Sequence, residues 1–213
     1  MRLLPLAAAL LASHAAAQGA PGYPAQTYTL DPAHSTVVFS LDHLGFSRFT
    51  ATFDEIAGTL ELDTAAPQEA QLSVTISTGS LDIPKPPEGF REMLLGPDWL
   101  DAEAHPEITY RSTAIIPDGE AATIEGLLTF RGTEQPVTLH ATFNGAWPGP
   151  PYEPGPRLGF SATGTFLRSA FGMGQGVPPV GTQFGVSDTV TVRIETEWTG
   201  TIPPETPPET PPG

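Results

Sequence analysis

The sequence predicts an all-β protein: an eight-stranded antiparallel up-and-down barrel with a short helix in one connection. The first observation is a strict alternation of apolar and polar residues in about eight or nine segments, which gives each predicted strand one apolar and one wet face. The second is that short turn sequences, such as residues 117–119, separate these segments and favour hairpin links. The alternation alone also fits a two-sheet sandwich, so the short links carry the preference for a barrel.

The inward faces of the predicted strands mix large rings with small residues. The predicted lumen lining is Phe39, Leu41, Phe53, Val74, Ile76, Tyr110, Phe130, Phe160, Ala162, Gly164 and Phe166. An eight-stranded barrel has an interior just wide enough to be filled by side chains or to hold one small ligand. The small inward residues, with Ala51 among them, fit either outcome, so the pattern does not decide between a cavity and a filled core.

One segment breaks the period of two. Between residues 86 and 104, Phe90, Met93 and Leu94 are spaced i, i+3, i+4, which predicts a short helix with one apolar face. Trp99 follows in a second short turn. An apolar helix face must cover something, and we expect it to cover one end of the barrel.

The two ends of the chain are predicted to lie outside the fold. Residues 1–17 have a positive start, an apolar run too short to span a bilayer, and the small residues Ala15–Ala17, which together predict a signal peptide cleaved near Ala17. Residues 18–26 form a leader, and the barrel domain occupies residues 27–200. Residues 201–213 are dominated by a Pro-Pro-Glu-Thr repeat, which predicts a disordered tail. The mature protein is therefore expected in the periplasm or outside the cell.

The composition excludes several functions. The formal net charge is −15, which argues against binding to nucleic acid and against adsorption on an anionic membrane by charge alone. No segment after the signal peptide is apolar enough for an integral membrane span. The chain has no cysteine, which removes disulfides, thiolate nucleophiles and thiolate metal sites. No catalytic motif or metal-binding spacing is present, and neither a cofactor nor a metal is expected.

Six ordered motifs lie at residues 28–39, 43–45, 53–63, 95–112, 126–137 and 168–173, and together they cover roughly residues 28–198. They resemble the YceI-like family of polyisoprenoid-binding proteins. The one departure noted is Ala170, where the family usually has Asp. The resemblance implies a lipocalin-like barrel with a long apolar cavity, in an exported protein that holds an isoprenoid or another long-chain amphiphile. It favours the cavity over the filled core.

A bound amphiphile would place its polar head group near basic or histidine side chains. His43 has the inward parity of the first long strand, while Arg48, Arg91 and Arg168 lie near strand ends, the helix or a loop. These four residues are the predicted head-group contacts, and arginine suits a phosphate because its guanidinium binds in a bidentate fashion. Arg168 is the first choice because it lies in the family-like motif at residues 168–173. Three further arginines, at positions 111, 131 and 193, have outward parity and are expected in solvent, as is His140.

The sequence therefore predicts an exported carrier of a long-chain lipid, such as a polyisoprenoid, a quinone or a fatty-acid-like molecule, without catalytic turnover. A rival hypothesis is a small exported hydrolase with a site formed by His34, His43 and Arg168 at the barrel mouth. A third is a ligand-free interaction module that acts through the barrel rim and the proline-rich tail. Barrel rims and edges can also self-associate, so a homodimer is compatible with each hypothesis.

Overall fold

The computed structural model describes residues 23–182 and 184–202, and these contain eleven strands, one α-helix and four short 3₁₀ helices. The strands are β1 (Gln26–Leu30), β2 (Thr36–His43), β3 (Ser47–Phe53), β4 (Ile56–Leu62), β5 (Gln71–Ser77), β6 (Leu81–Asp82), β7 (Glu107–Asp118), β8 (Ala121–Phe130), β9 (Thr133–Trp147), β10 (Arg157–Leu167) and β11 (Thr189–Thr199). The helix α1 is Phe90–Leu95, and the 3₁₀ helices are Pro32–His34, Pro67–Glu69, Thr78–Ser80 and Arg168–Phe171. The predicted signal peptide and most of the predicted leader and tail lie outside the described residues.

The strands form one closed antiparallel barrel of eight long strands. β1 and β2 act as one bent strand, and β3 and β4 act as the next. The two bent strands pair with each other, because β1 pairs with β4 while β2 pairs with β3. β5 and β6 form the third, since they pair with β4 and β3 respectively. From β7 onward each strand pairs with its neighbour in sequence, and β11 returns to both β1 and β2. The predicted up-and-down barrel is confirmed.

The barrel closes at a seam where β11 changes partner. Its last residues pair with β1, while residues 191–195 pair with β2, so that residues 31–35 lie opposite only Thr196 and Glu197. Hydrogen bonds continue across this gap: Asp31 N donates to the backbone carbonyl of Glu197 at 2.8 Å, and Glu197 N donates to the side-chain hydroxyl of Ser35 at 3.2 Å. The extra residues form the 3₁₀ turn Pro32–His34, and the Asp31 carboxylate accepts a hydrogen bond from Ala33 N at its start.

An ion cluster covers this seam. Arg157, on β10, has its Nη1 within 2.6 Å of Asp31 Oδ2 and 2.5 Å of Glu197 Oε2, and its Nη2 lies 3.2 Å from Glu153 Oε2. His34 Nδ1 lies 2.9 Å from Asp31 Oδ2. The hydrogen bond from His34, followed in importance by that from Arg157, lowers the pKa of Asp31 to about 2. The hydrogen bond to Asp31 in turn raises the pKa of Arg157. Side chains from β10, β11, the β9–β10 loop and the kink are thereby tied together across the seam.

The barrel has two distinct ends. The helix end comprises the β2–β3 turn (44–46), the long β6–β7 connection with α1 (83–106), the β8–β9 turn (131–132) and the β10–β11 connection (168–188). The termini end comprises the β4–β5 loop (63–70), the β7–β8 turn (119–120), the β9–β10 loop (148–156), the start of β1 and the end of β11. As predicted, the helix covers a barrel end: Phe90, Leu94 and Leu95 pack against a core cluster that includes Phe53, Phe130 and Phe171.

The alternation in the sequence becomes burial in the barrel wall. On β9, Val137, Leu139 and Ala141 are buried while Thr138, His140 and Thr142 are exposed. Buried inward residues form three separate clusters: one under the helix end, one along the seam around Tyr28 and Trp198, and one on β7–β9 around Tyr110. In the part of the chain that the structure describes, no helix has the length and apolar character that crossing a bilayer requires.

The wall around Tyr110 depends on a glycine. A Cβ on Gly126 would lie 2.3 Å from the Tyr110 hydroxyl oxygen, so only glycine lets the ring pass across β8. The hydroxyl then reaches two strand carbonyls, Ile124 O at 3.2 Å and Val137 O at 3.1 Å, to either of which it can donate. Burial raises the pKa of Tyr110 to about 12. The ring is thus held in the wall with its polar end satisfied and its apolar body facing inward.

Replacing Asp31 by Asn should lower the free energy of unfolding at neutral pH by about 1 kcal/mol, because the amide no longer pairs with Arg157 at a site that solvent partly screens. The folded pKa of Asp31 is depressed from 3.8 to about 2. Its contribution is therefore present above the unfolded pKa and is lost as the pH falls through the folded pKa. Urea titrations should show the stability gap between wild type and Asp31→Asn closing between about pH 4 and pH 2.

The matched control is Asp118→Asn, which changes an exposed carboxylate in the turn at the end of β7. It should behave like wild type at each pH. A gap between wild type and Asp31→Asn that stays constant down to about pH 2 would show that the ion cluster does not stabilise the seam.

Candidate ligand-binding cavity

A cavity of about 660 Å³ runs along the inside of the barrel. Every strand contributes to its lining, and so do the helix end and the loops of the termini end. At the helix end the lining includes the exposed residues His43 and Met93, and at the termini end it includes the exposed residues Pro117 and Glu120. The cavity therefore extends from one end of the barrel to the other. Its volume falls within the range of about 300–1,000 Å³ that is usual for small-molecule sites.

Most predicted lumen residues line this cavity. They are Phe39, Leu41, Phe53, Val74, Ile76, Tyr110, Phe130, Phe160, Ala162 and Phe166. Gly164 lies outside the lining, contrary to the sequence prediction, because a Cβ there would be 2.6 Å from Leu139 Cδ2 and 2.9 Å from Thr138 O. Its missing side chain lets β9 and β10 pack closely and leaves no space for a ligand.

Aromatic rings narrow the cavity towards the helix end. Phe39 lies between Phe49 and Phe53, with ring centroids 6.2 and 5.5 Å apart, and Phe49 meets Phe90 of α1 at 6.0 Å. On the other side, the β10 ring Phe166 contacts Phe130 and Phe171 at 6.3 and 5.4 Å. Towards the middle of the barrel the lining is mainly aliphatic, with residues such as Leu72, Val74, Ala162, Val192 and Ile194. An apolar chain would therefore meet carbon along nearly its whole length.

Several residues at the helix end line the cavity although the predicted lumen lining did not include them. They are Met93, Leu94, Trp99, Leu100, Met173 and Val186. The helical spacing in this part of the sequence does indicate an apolar face, but the residues that complete it after α1 have no periodic signal. Their place in the lining follows from the way in which the connection folds back: Leu100 N donates to Leu94 O at 2.9 Å, and Ala102 N donates to Leu95 O at 2.9 Å.

Arg168 lies at the helix end of the cavity and is only 2% exposed. Its guanidinium donates to three backbone carbonyls of the β10–β11 connection: Met173 O at 2.5 Å, Val186 O at 2.8 Å and Ser187 O at 2.9 Å. It also lies 5.6 Å from the centroid of the Trp99 ring. Burial lowers the pKa of Arg168, although Asp188 opposes this shift. The Arg168 side chain therefore acts mainly as a clamp, which holds the β10–β11 connection against the end of the barrel.

The other predicted head-group arginines lie outside the cavity lining. Arg48, near the start of β3, is exposed. Arg91 turns away from the lumen, because its Nε donates to Leu81 O at 2.8 Å and its Nη2 to Gly79 O at 2.5 Å. These two bonds attach α1 to β6 and to the turn before it. Neither side chain is placed to meet a head group inside the barrel.

The outward-facing arginines follow the prediction with one exception. Arg111 and Arg193 are exposed on the outer wall, where they pair with Glu134 and Glu195, both at 3.1 Å. Arg131 was expected in solvent but is partly buried, because it donates to Pro97 O at 2.9 Å and to Gly172 O at 3.2 Å. It joins the β8–β9 turn to both long connections at the helix end.

The structure does not bring together the residues of the rival hydrolase hypothesis. His34 lies in the kink beside Asp31, whereas His43 ends β2. The extended strand between them separates the two by about 25 Å at about 3.3 Å per residue. Asp31, His34 and Glu197 do lie close enough to share a metal ion, but Arg157 already pairs with both carboxylates. The cluster is thus an ion-paired seam, with a guanidinium where a metal would need those oxygens.

A closed up-and-down barrel with an internal apolar cavity places the protein among the lipocalin-like binding barrels. A family model described as the YceI-like domain matches residues 28–198. The chain belongs to this family, as the six ordered motifs indicated.

Three similar proteins illustrate the relationship. A UPF0312 protein of Pseudomonas putida (strain GB-1) is 36% identical over 141 residues, which cover 66% of this chain and 71% of the relative. The crystal structure of BcnA from Burkholderia cenocepacia matches with a TM-score of 0.65 at 24% identity, covering 79% of this chain and 98% of that one. A Saccharophagus degradans structure, described as a polyisoprenoid binding domain implicated in plant cell wall breakdown, matches with a TM-score of 0.56 at 12% identity, covering 81% and 98%. At these identities the two structures show the shared fold.

Replacing Arg168 by Met should destabilise the protein by about 3 kcal/mol or more, because three carbonyls lose a charged donor in a buried site. Arg168→Lys should lose less, since one ammonium can still reach some of the carbonyls. Urea unfolding measures the loss, and amide hydrogen exchange should show faster exchange across residues 172–187.

The exposed Arg193 provides the control, and Arg193→Met should change the free energy of unfolding by no more than about 0.5 kcal/mol. The clamp has no role if exchange across residues 172–187 in Arg168→Met matches that of wild type.

Proposed function

We propose that the mature protein is exported and carries a long-chain amphiphile, such as a polyisoprenoid, a quinone or a fatty-acid-like lipid, without chemical turnover. The observation that supports this most directly is the apolar cavity of about 660 Å³ that runs through the barrel. The description of the Saccharophagus degradans neighbour as a polyisoprenoid binding domain supports the same ligand class.

Burial of the hydrocarbon chain would supply the affinity. Each CH₂ group removed from water is worth about 0.8 kcal/mol, so about ten such groups supply roughly 8 kcal/mol before the costs of immobilisation. Before those costs this corresponds to a dissociation constant of about 1 μM, and further CH₂ groups of a longer chain offset the costs, so no polar partner along the chain is required. A lining made of side chains from every strand also tolerates ligands of different length, because no single residue defines the site.

The head group is proposed to lie at the helix end. His43 lines the cavity there and is itself exposed, so its imidazole can meet a polar group that emerges from the lumen. Arg168 brings a positive charge to the same end. At the termini end the lining instead contains Glu120, and the neighbouring turns carry Asp118 and Asp63. An anionic head group would meet a carboxylate in the lining at that end, whereas the described lining residues at the helix end include Arg168 and His43 and no carboxylate.

The geometry gives less support to the other two hypotheses. A hydrolase needs converging groups, whereas His34 lies in the kink beside Asp31, far along β2 from His43, and the Arg168 guanidinium is already bonded to three backbone carbonyls. A ligand-free interaction module would have no use for a continuous internal cavity, since empty apolar space lowers stability. The carrier is the function that explains why the barrel is hollow.

The direct test is to purify the mature protein, extract it with organic solvent and identify the released molecules by mass spectrometry. We expect a long-chain lipid in a ratio close to one per barrel. An extract that contains no long-chain molecule, from protein that also fails to take up an added polyisoprenoid alcohol, would overturn the proposal.

Ala162→Trp should keep the fold and abolish lipid retention. Ala162 faces the lumen on β10, opposite Ala141 and Ile194, so an indole there would occupy the space of the chain. The control is Thr163→Trp, which places the same ring on the exposed face of the same strand. Extracted lipid per mole of protein is the readout. Equal amounts from Ala162→Trp and wild type would show that the ligand lies elsewhere. Gly164→Leu is unsuitable as a second lumen-filling change because it collides with Leu139.

His43→Ala should weaken the retention of polyisoprenoid lipids with polar heads and leave the retention of a plain hydrocarbon chain unchanged, because only the former place a polar group at the helix end. We expect roughly a tenfold change in affinity for loss of one hydrogen bond to a charged head group. The outward-facing His140→Ala is the matched control. An equal loss for both ligands would indicate that His43 shapes the lumen rather than contacting the head group.

A further inference from the structure

Two segments at the helix end form one continuous surface, which we call the apolar rim. It consists of residues 43–47, around the β2–β3 turn, and of the described residues 172–182 and 184–187 of the β10–β11 connection. Leu44 N donates to Gly185 O at 2.9 Å, and a β-bridge joins His43 to Val186. Ser187 N donates to Asp42 O at 2.9 Å. Because the hydrogen bonds cross between the segments, the two project from the barrel together.

The apolar rim exposes large side chains to solvent. Phe46 is 79% exposed, Phe184 is 78% exposed, and Val180 is fully exposed. Exposed apolar residues are common on their own, but Phe46 and Phe184 lie within two residues of the Leu44–Gly185 hydrogen bond, beside the end of the cavity that His43 and Val186 line. Their position links them to the passage of a ligand.

The rim also lacks charge, although the protein as a whole is strongly acidic. The formal net charge of the chain is −15, yet neither residues 43–47 nor residues 172–187 contain Asp, Glu, Lys or Arg. The carboxylates of the helix end lie outside the rim, at Asp42 and Asp188 beside it and in the β6–β7 connection (Glu88, Glu92, Asp98, Asp101 and Glu103). At the termini end the β4–β5, β7–β8 and β9–β10 loops contribute Asp63, Glu69, Glu120 and Glu153. The termini end has exposed rings of its own, such as Tyr152, but they stand among carboxylates.

The rim is held in shape from beneath. Arg168 binds the carbonyls of Met173, Val186 and Ser187, and Gly185 passes so close to the chain that a Cβ would lie 2.5 Å from Gly176 O. Val186 N donates to Gly176 O at 2.7 Å. Because the loop is already fixed, its exposed apolar side chains lose little conformational entropy when they bind a partner.

We propose that the apolar rim inserts into the interface of a lipid bilayer and so docks the helix end of the barrel on a membrane. The partner is a neutral or zwitterionic lipid surface, because an uncharged apolar surface on a protein of net charge −15 suits lipid that neither repels it nor requires basic residues. Docking at this end would let an amphiphile pass between bilayer and lumen without crossing water. This role in exchange rests on the proposed carrier function, whereas the membrane contact itself rests on the rim.

The test uses the full mature protein and vesicles of phosphatidylcholine, with flotation in a density gradient as the readout. Wild type should float with the vesicles, and raising the salt concentration should not release it, because the contact is apolar. The double variant Phe46→Ser with Phe184→Ser should bind at least about tenfold more weakly. Adding phosphatidylglycerol to the vesicles should weaken wild-type binding, since the protein is acidic.

The matched control is Tyr152→Ser with Ile116→Ser, which removes two exposed apolar side chains from the termini end. It should float like wild type. Urea unfolding of both double variants shows whether they are folded, and a rim variant that unfolds at much lower urea is replaced by Phe46→Ser alone. The proposal is overturned if wild type does not float, if the control loses as much binding as the rim variant, or if the rim variant loses self-association in gel filtration instead of vesicle binding.

Lipid content measured by extraction separates this proposal from the carrier function. Protein that contains lipid but never floats would refute the docking and leave the carrier intact. Protein that floats through its rim but contains and takes up no lipid would refute the carrier and leave the docking intact. The rim variant should contain as much lipid as wild type after loading in detergent, because Phe46 and Phe184 do not line the cavity.

Discussion

The whole structure depends on the closure of the barrel between its first and last strands. β11 pairs with β1 at one end and with β2 at the other, and the two pairings differ in register, so that residues 31–35 form a kink opposite only two residues of β11. Asp31 and Ser35 maintain the hydrogen bonds across that kink, and Arg157 covers it with a charge. Without closure the sheet would have two open edges and no interior, so the cavity exists only because the seam holds.

Closure at eight strands leaves little room to spare, and the size of each inward residue therefore has consequences. Large rings fill the helix end, whereas alanine and aliphatic residues leave the middle of the barrel hollow. The polar groups that the fold buries are used to fasten loops: Arg168 binds three carbonyls, and Arg131 joins two connections. These arginine side chains therefore hold loops in place, and the lumen stays apolar.

The sequence predicted those features that repeat along the chain. Alternation fixed the inward face of β9, and helical spacing located α1. The sequence pattern could not show that Arg157 binds Asp31, because the two residues are far apart in the sequence and come together only when the barrel closes. It also misjudged Gly164 and Arg131, since parity tells which face a residue occupies but not how closely the neighbouring strand approaches or which carbonyl lies within reach. The cavity itself was indicated by the family resemblance, because a row of alternating residues fits a filled core equally well.

The position of the closing seam also determines how the barrel responds to a stretching force. An even number of long strands places the start of β1 and the end of β11 side by side at the termini end, and these strands share only the pairs Thr29 with Thr199 and Leu30 with Trp198. A force that pulls the two ends apart would load those pairs one after another, as in a zipper, instead of shearing many bonds at once. A tether attached at one end only would not load the seam, whereas stretching between both ends would open the barrel where it closes.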